Sequence, residues 1–419
     1  MKNLLIIIFM SASIIAGGKT TYAQDTLLHK YMQSAINNNP ALKAKFKEYY
    51  AALQKIPQVG ALPDPNAVLG YYILPVETRV GSGVANIQLS QSFPWFGTLA
   101  AKKDEASRWA AVKFQAFQIA KNDIFYQLKL KYYQLYFIDK SIRSRQDYLT
   151  FLHKDDKVML ARIEGGRASL ADELRIKMET KENETQQAIL QHKWQSLSAD
   201  FNQFLDRPVH DSVRVTDDLR SITILHDEDV LLDSMVRRNP LLGQLREQDT
   251  AYQSQERVAR KSGLPVLGLG LSYTAIAATP PGMQIPQNGQ DILMPMLSVS
   301  IPLYRSKYKA KVEEARLMQE SNNLQIEDMK NMLSAELVNA LNQYKDAESN
   351  LTLYKQLITQ AEQTYQILIT AYTGGTEAYV EVLRIEEKLL DYRLNLQQAL
   401  TSQYTALALL NKLTARELQ

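Results

Sequence analysis

A chain of 419 residues with 45% hydrophobic content carries enough apolar surface for a large core and is long enough for two or three ordinary domains. Its formal charge of +3 falls to +1, 46 basic against 45 acidic groups, once Lys2 and Lys19 of the first 23 residues are set aside. That balance gives a nucleic acid or another polyanion nothing to bind. Cysteine is absent, so the fold needs no disulfide and the chain has no lipobox cysteine for N-terminal acylation.

The N-terminus reads as a cleaved export signal over residues 1–23: Lys2, an apolar run from Leu4 to Ile15, and small residues around a cut after Thr21-Tyr22-Ala23. The run is too short for a transmembrane helix, and no later run reaches the length that a helical span needs. The remainder divides into a first unit over 24–206, a linker over 207–226 and a second unit over 227–419.

Each unit opens on a helical stretch, Asp25 to about Ile56 and Asp227 to about Lys261, broken at Asn39-Pro40 and Asn239-Pro240. Proline fixes φ and lacks a donor, so each pair marks a short helix followed by a longer one that starts at the proline. The periodicity then changes to two. In the second unit Leu267, Leu269, Leu271 and Tyr273 alternate with Gly268, Gly270, Ser272 and Thr274, and the run returns through Leu297, Val299 and Ile301. In the first unit the outgoing run is Ala67 to Leu74, and the returning run, Val84 to Phe93, sets Ile87 and Leu89 against Asn86, Gln88 and Ser90. These are two hairpins of strands about eight to ten residues long, apolar on one face and small and polar on the other. A soluble sandwich or a membrane barrel could use such strands. The flanks favour the barrel: each returning strand ends at a proline beside aromatic residues (Pro94, Trp95 and Phe96; Pro302 and Tyr304) that suit an interfacial belt, then enters a helix.

From Thr98 to Ile163 and from Arg305 to Tyr372 there is neither proline nor glycine. Leu337, Ala340, Tyr344, Ala347, Leu351, Tyr354, Ile358, Ala361, Tyr365, Leu368 and Tyr372 alternate in steps of three and four, a coiled-coil seam. A matching seam runs through Ile124, Leu128, Leu135, Ile138, Ile142, Leu149, Leu152, Met159 and Ile163. Both end at a glycine pair, Gly165-Gly166 and Gly374-Gly375, after which a second long helix returns, Ser169 to about Leu205 and Glu377 to about Leu413. Rods of about 100 Å do not fit a compact globule and must project from the strands. Ser212 to Thr216, in the linker, is a candidate short strand. The fold class is therefore mixed and mainly α, internally duplicated, with long antiparallel coiled-coil helices and four strands per chain. Four strands in lipid leave open edges that hydrocarbon cannot satisfy, so the chain must self-associate. A homotrimer, with a 12-stranded barrel above an α-barrel of twelve helices, is the smallest assembly with an open lumen.

Paired Asn-Pro helices, paired hairpins, the strand-Pro-aromatic-helix junctions and the paired Gly-Gly turns, in the same order twice, resemble the TolC-type outer membrane factor family. Members are exit ducts of tripartite efflux and type I secretion systems, and the match covers nearly all of the chain after residue 23. Leu62 to Gly97, with Leu-Pro-Asp-Pro and Phe-Pro-Trp-Phe-Gly, further resembles members that accompany heavy-metal efflux pumps. The resemblance implies a trimeric duct in the bacterial outer membrane with its helical tunnel in the periplasm, and as partners a periplasmic adaptor, an inner membrane pump of the RND type and outer membrane lipids. It also implies adaptor docking at the tip turns, on Gly165, Gly166, Arg167, Ser169, Asp172, Leu174, Tyr372, Gly374, Gly375, Thr376, Val380 and Leu383. Acidic side chains near the tip, here Asp172, Glu173, Glu377 and Glu381, would form a gate. The plainer readings are that the glycines permit a tight reversal and that the acids line a solvated face.

Nothing points to catalysis, a cofactor or a metal. The histidines lack metal spacing, Gly268-Leu269-Gly270 has neither a third glycine nor a following helix, and Met283, Met294 and Met296 read as packing rather than as soft metal ligands. From a different class, a periplasmic coiled-coil adaptor or scaffold would need the alternating segments to form a soluble β domain.

Overall fold

The computed structural model describes residues 26–216, 218–280, 286–375 and 378–418; the expected export signal, Met283, Thr376 and Glu377 lie outside them. One order of elements occurs twice: α1 (Thr26–Asn38), α2 (Pro40–Gly60), β1 (Asn66–Thr78), β2 (Gly81–Pro94), α3 (Thr98–Glu164) and α4 (Leu170–Phe204), then α5 (Glu228–Arg238), α6 (Pro240–Ser262), β3 (Val266–Ala277), β4 (Ile292–Ser300), α7 (Arg305–Thr373) and α8 (Tyr379–Thr414).

The Asn-Pro pairs do more than break a helix. Asn39 caps α2 by accepting from the Leu42 N–H at 3.1 Å, and its amide donates to the Phe204 carbonyl at the end of α4, at 3.0 Å. Asn239 likewise caps α6 through the Leu241 N–H, at 2.9 Å, and donates to the Leu413 carbonyl near the end of α8, also at 2.9 Å. Each asparagine thus satisfies an orphan donor at a helix start and an orphan acceptor near a helix end. Helix α2 continues past the expected end at Ile56 to Gly60, carrying Pro57 inside it.

The first three strands, of 13, 14 and 12 residues, are longer than the alternation suggested, and the fourth, of 9, has the expected length. They form one antiparallel sheet, β1-β2-β3-β4, in which β2 pairs with β3 and joins the two hairpins. The register keeps the faces apart. Leu89 lies opposite Leu271 and Ile87 opposite Tyr273 on an exposed apolar face. On the other face the Asn86 amide donates to the Ser272 and Thr274 hydroxyls, each at 2.8 Å.

Helices α3 and α7, of 67 and 69 residues, run as unbroken rods of about 100 Å. Their seams are inward-facing: all residues of the α7 seam are buried or half-buried, and Leu128, Leu135, Leu149, Leu152 and Met159 are buried in α3. Each fully buried leucine contributes roughly 1.5–3 kcal/mol. Side by side the helices run α4-α3-α8-α7, with core clusters along their length that include Leu128, Tyr132 and Phe201, or Leu337, Tyr344 and Leu410.

The expected strand at Ser212–Thr216 is not formed. Its backbone pairs with helix side chains rather than with a ladder: the Arg214 N–H donates to the Tyr31 hydroxyl at 3.1 Å and the Thr216 N–H to that of Tyr132 at 3.0 Å, and just beyond it the Leu219 N–H donates to the Tyr136 hydroxyl at 3.3 Å. Further along, the Ile224 N–H donates to the Tyr344 hydroxyl, and Gln403 both accepts from the Ile222 N–H and donates to its carbonyl. Backbone groups must find partners somewhere, and here side chains of the helices, most of them tyrosines, supply them.

Candidate functional site: the hairpin tips

At the end of α3, Gly166 adopts φ 64°. Its N–H donates to the Ile163 carbonyl at 2.9 Å, and the Arg167 N–H donates to that of Arg162 at 2.8 Å, which is a Schellman closure. The second turn is built alike, with Gly375 at φ 80° and its N–H donating to the Tyr372 carbonyl at 3.1 Å. A Cβ at either glycine would meet nothing within 4 Å, so the conformation, not crowding, requires glycine there. Gly165 and Gly374 lie at φ −82° and −76°, which any residue adopts.

The return helices start differently. The Ser169 hydroxyl accepts from the Ala171 N–H at 3.1 Å, whereas Ala378, the residue before α8, has no side chain that can cap. Asp172 bonds Arg175 at 2.9 Å, Glu173 bonds Lys177 at 2.5 Å and Glu381 bonds Arg384 at 2.8 Å. Within one chain each described acid is thus held by a base on its own helix. Glu173 is buried, which rules out the plain solvated-face reading for that residue. Leu174 stands exposed at the start of α4, while Leu383 is buried and Val380 half-buried in α8.

The residues that tie the tips together include several that the sequence did not flag. The Tyr379 hydroxyl donates to the Asp155 carboxylate and so links α8 to α3. Burial pushes the Asp155 carboxyl above its usual range, and that hydrogen bond partly opposes the shift. The Arg162 guanidinium lies 4.3 Å from the Tyr372 ring centroid, and the Tyr372 and Tyr379 rings are 5.4 Å apart. Nearby, Tyr148 is buried with its hydroxyl unpartnered. The seam carried only a general signal: it skips a step three times, where Lys131, Arg145 and Asp156 take apolar slots. Polar residues at core positions of a coiled coil fix register at a cost in stability.

At the other end of the rods, β2 stops at Pro94 and α3 starts after Gly97, at φ 75°. The exposed Trp95 and Phe96 rings meet edge to face at 6.1 Å. Pro302 follows β4, and the exposed Tyr304 precedes α7. Among the described residues no helix is long and apolar enough to cross a membrane, and no cluster of His, Asp or Glu is arranged to hold a metal ion.

The architecture of a four-stranded sheet above two helical hairpins is the fold of solved outer membrane channels. The outer membrane protein VceC from Vibrio cholerae superposes with a TM-score of 0.74 at 16% identity, over 94% of this chain and 97% of that one. CusC, whose structures describe transmembrane channel formation, gives 0.74 at 13% identity, over 96% and 95% of the two chains. The open state of the MtrE outer membrane channel from Neisseria gonorrhoeae gives 0.73 at 13%, over 94% and 90%. Residues 231–416 match the family model described as outer membrane efflux protein. No curated protein sequence matches the chain.

Proposed function

We propose that this protein is an outer membrane efflux duct of the TolC type. Three copies place four strands each in a 12-stranded barrel, and their rods form a periplasmic tunnel that conducts solute passively from an inner membrane pump. The observation that carries this reading is the sheet itself. Its apolar face is exposed while β1 and β4 are edge strands, an arrangement that is stable in lipid only if further copies close it into a barrel. The exposed aromatics at both strand-to-helix junctions suit the periplasmic membrane surface, and the family match over 231–416 supports efflux. On this reading the tip turns receive the adaptor hairpin, the partner pump is of the RND type, and the acidic residues near the tips, Asp172, Glu173, Glu377 and Glu381, are the candidates for a gate. Opening would be a shift between two packings of the tips that the adaptor biases.

The test is the protein-only mass of membrane-extracted material in detergent, by light scattering coupled to size exclusion. About three times the mass of the mature chain supports the duct. A monomer that stays monodisperse without detergent overturns it and supports the soluble scaffold.

A further inference from the structure

Just below the sheet, a groove of about 1160 Å³ runs between α2 and α3. Leu99, Ala106 and Trp109 of α3 face Ala52 and Val59 of α2 across it, giving an apolar floor. The Trp109 ring is fixed from behind by an edge-to-face contact with Tyr252 of α6, at 5.5 Å. The rim alternates in sign: Lys55, Lys102 and Lys113 stand against Glu48, Asp64 and Glu105. Lys113 approaches Glu48 at 3.7 Å, and Glu105 is half-buried beside Trp109. Pro94, which also lines the groove, continues the alternation of Ser90 and Ser92. Through Pro94 the groove adjoins the small polar face of the sheet.

In a barrel that polar face is the lumen. Concave sites of about 300–1000 Å³ with apolar floors and a few polar groups are the size that holds drug-sized molecules. Three cations against three anions give the rim no net field, so charge sign selects little while apolar contact selects strongly. We propose that this groove is a wall site for amphiphilic, drug-sized molecules passing along the duct, held on Trp109 and chosen by apolar bulk rather than by charge. The proposal rests on the duct reading, which sets the lumen side.

Trp109 is itself the reporter. With Trp95 and Trp194 replaced by phenylalanine, it is the single tryptophan of the chain. The probe is N-phenyl-1-naphthylamine, a neutral amphiphile that accepts energy from tryptophan, titrated into the protein in lipid nanodiscs. The expected result is saturable transfer that weakens about tenfold or more in Ala52→Phe, since filling a pocket removes its best contacts. Ala51→Phe, at the exposed mouth of the groove, serves as a second filling variant in case the first does not fold. Lys55→Glu is expected to change the affinity less than about threefold, because charge contributes little on this account. Transfer that does not saturate, or that is unchanged in both filling variants, overturns the proposal. The protein-only mass of the same preparation in detergent is read alongside: trimers without saturable transfer remove the groove and leave the duct, whereas a monomer that needs no detergent removes the duct reading.

Discussion

The two hairpins end in the same turn and begin their return helices on the same apolar pattern, but they bury that pattern differently. At positions 209 residues apart, Leu174 is 53% exposed and Leu383 is 6% exposed, while Leu170 is 61% exposed and Tyr379 is 5% exposed. The cause is the neighbour, since α8 lies between α7 and α3 whereas α4 packs extensively on α3 alone. An identical pattern is satisfied within the chain on one hairpin and left open on the other. On the duct reading the open side of α4 is where another copy, or the adaptor, belongs.

The largest expected effect separates these two leucines. Leu383→Ala should cost about 2–5 kcal/mol, the usual range for a core leucine, while Leu174→Ala in a dissociated chain should stay within about 0.5 kcal/mol. Denaturant unfolding of both variants checks this, and equal small losses would break the comparison. In the intact assembly, a Leu174→Ala loss approaching that of Leu383→Ala would place a neighbour on α4.

Next come the glycines. Gly166→Val and Gly375→Val force a β-branched residue into left-handed backbone and should each cost about 1–3 kcal/mol. Gly165→Ala and Gly374→Ala should be near neutral, their conformations being ordinary. Thermal unfolding of the four variants decides whether the second glycine of each pair is the one that the turn needs.

Much of this fold was legible because it rests on periodicity. The seam from Leu337 to Tyr372, the hairpin alternation and the glycine pairs each name their own geometry, and the rods end within a residue or so of where proline and glycine permit. Ser212–Thr216 forms no strand because hydroxyls of Tyr31 and Tyr132, distant in sequence, take the place of a β partner there. The tip was legible as a turn but not as a linkage. The bond between Asp155 and Tyr379 joins residues 224 apart, and the missing apolar steps of the seam, at Lys131 as well as at Arg145 and Asp156, did not single out the tip.

The same tip sets a pH dependence that acts between the hairpins. Burial raises the carboxyl of Asp155 on α3, that of Glu179 on α4 and that of Glu386 on α8 above the ordinary carboxylate range. Glu387, Glu182 and Asp391 push Glu179 further in the same direction, while the Tyr379 hydroxyl restrains Asp155 and Arg393 restrains Glu386. A carboxyl raised in the folded state contributes stability that is complete below its unfolded value and is lost as pH rises through the raised one. The melting temperature should therefore increase as pH is lowered from neutral toward the carboxylate range, the opposite of what ion-paired carboxylates produce. Glu179→Gln combined with Glu386→Gln should flatten that dependence, and a slope that survives both substitutions would assign it elsewhere.

The smallest effect concerns the caps. Ser169→Ala removes the hydroxyl bonded to the Ala171 N–H and should cost about 1 kcal/mol. Ala378 has φ −80° and ψ 143°, the extended geometry of a residue that caps, so Ala378→Ser should return up to about 1 kcal/mol to α8. Unfolding of the two variants in parallel tests whether capping distinguishes the tips as burial does. If Ala378→Ser gains nothing, the first N–H groups of α8 already have acceptors, and the difference between the hairpins reduces to which one has a neighbour.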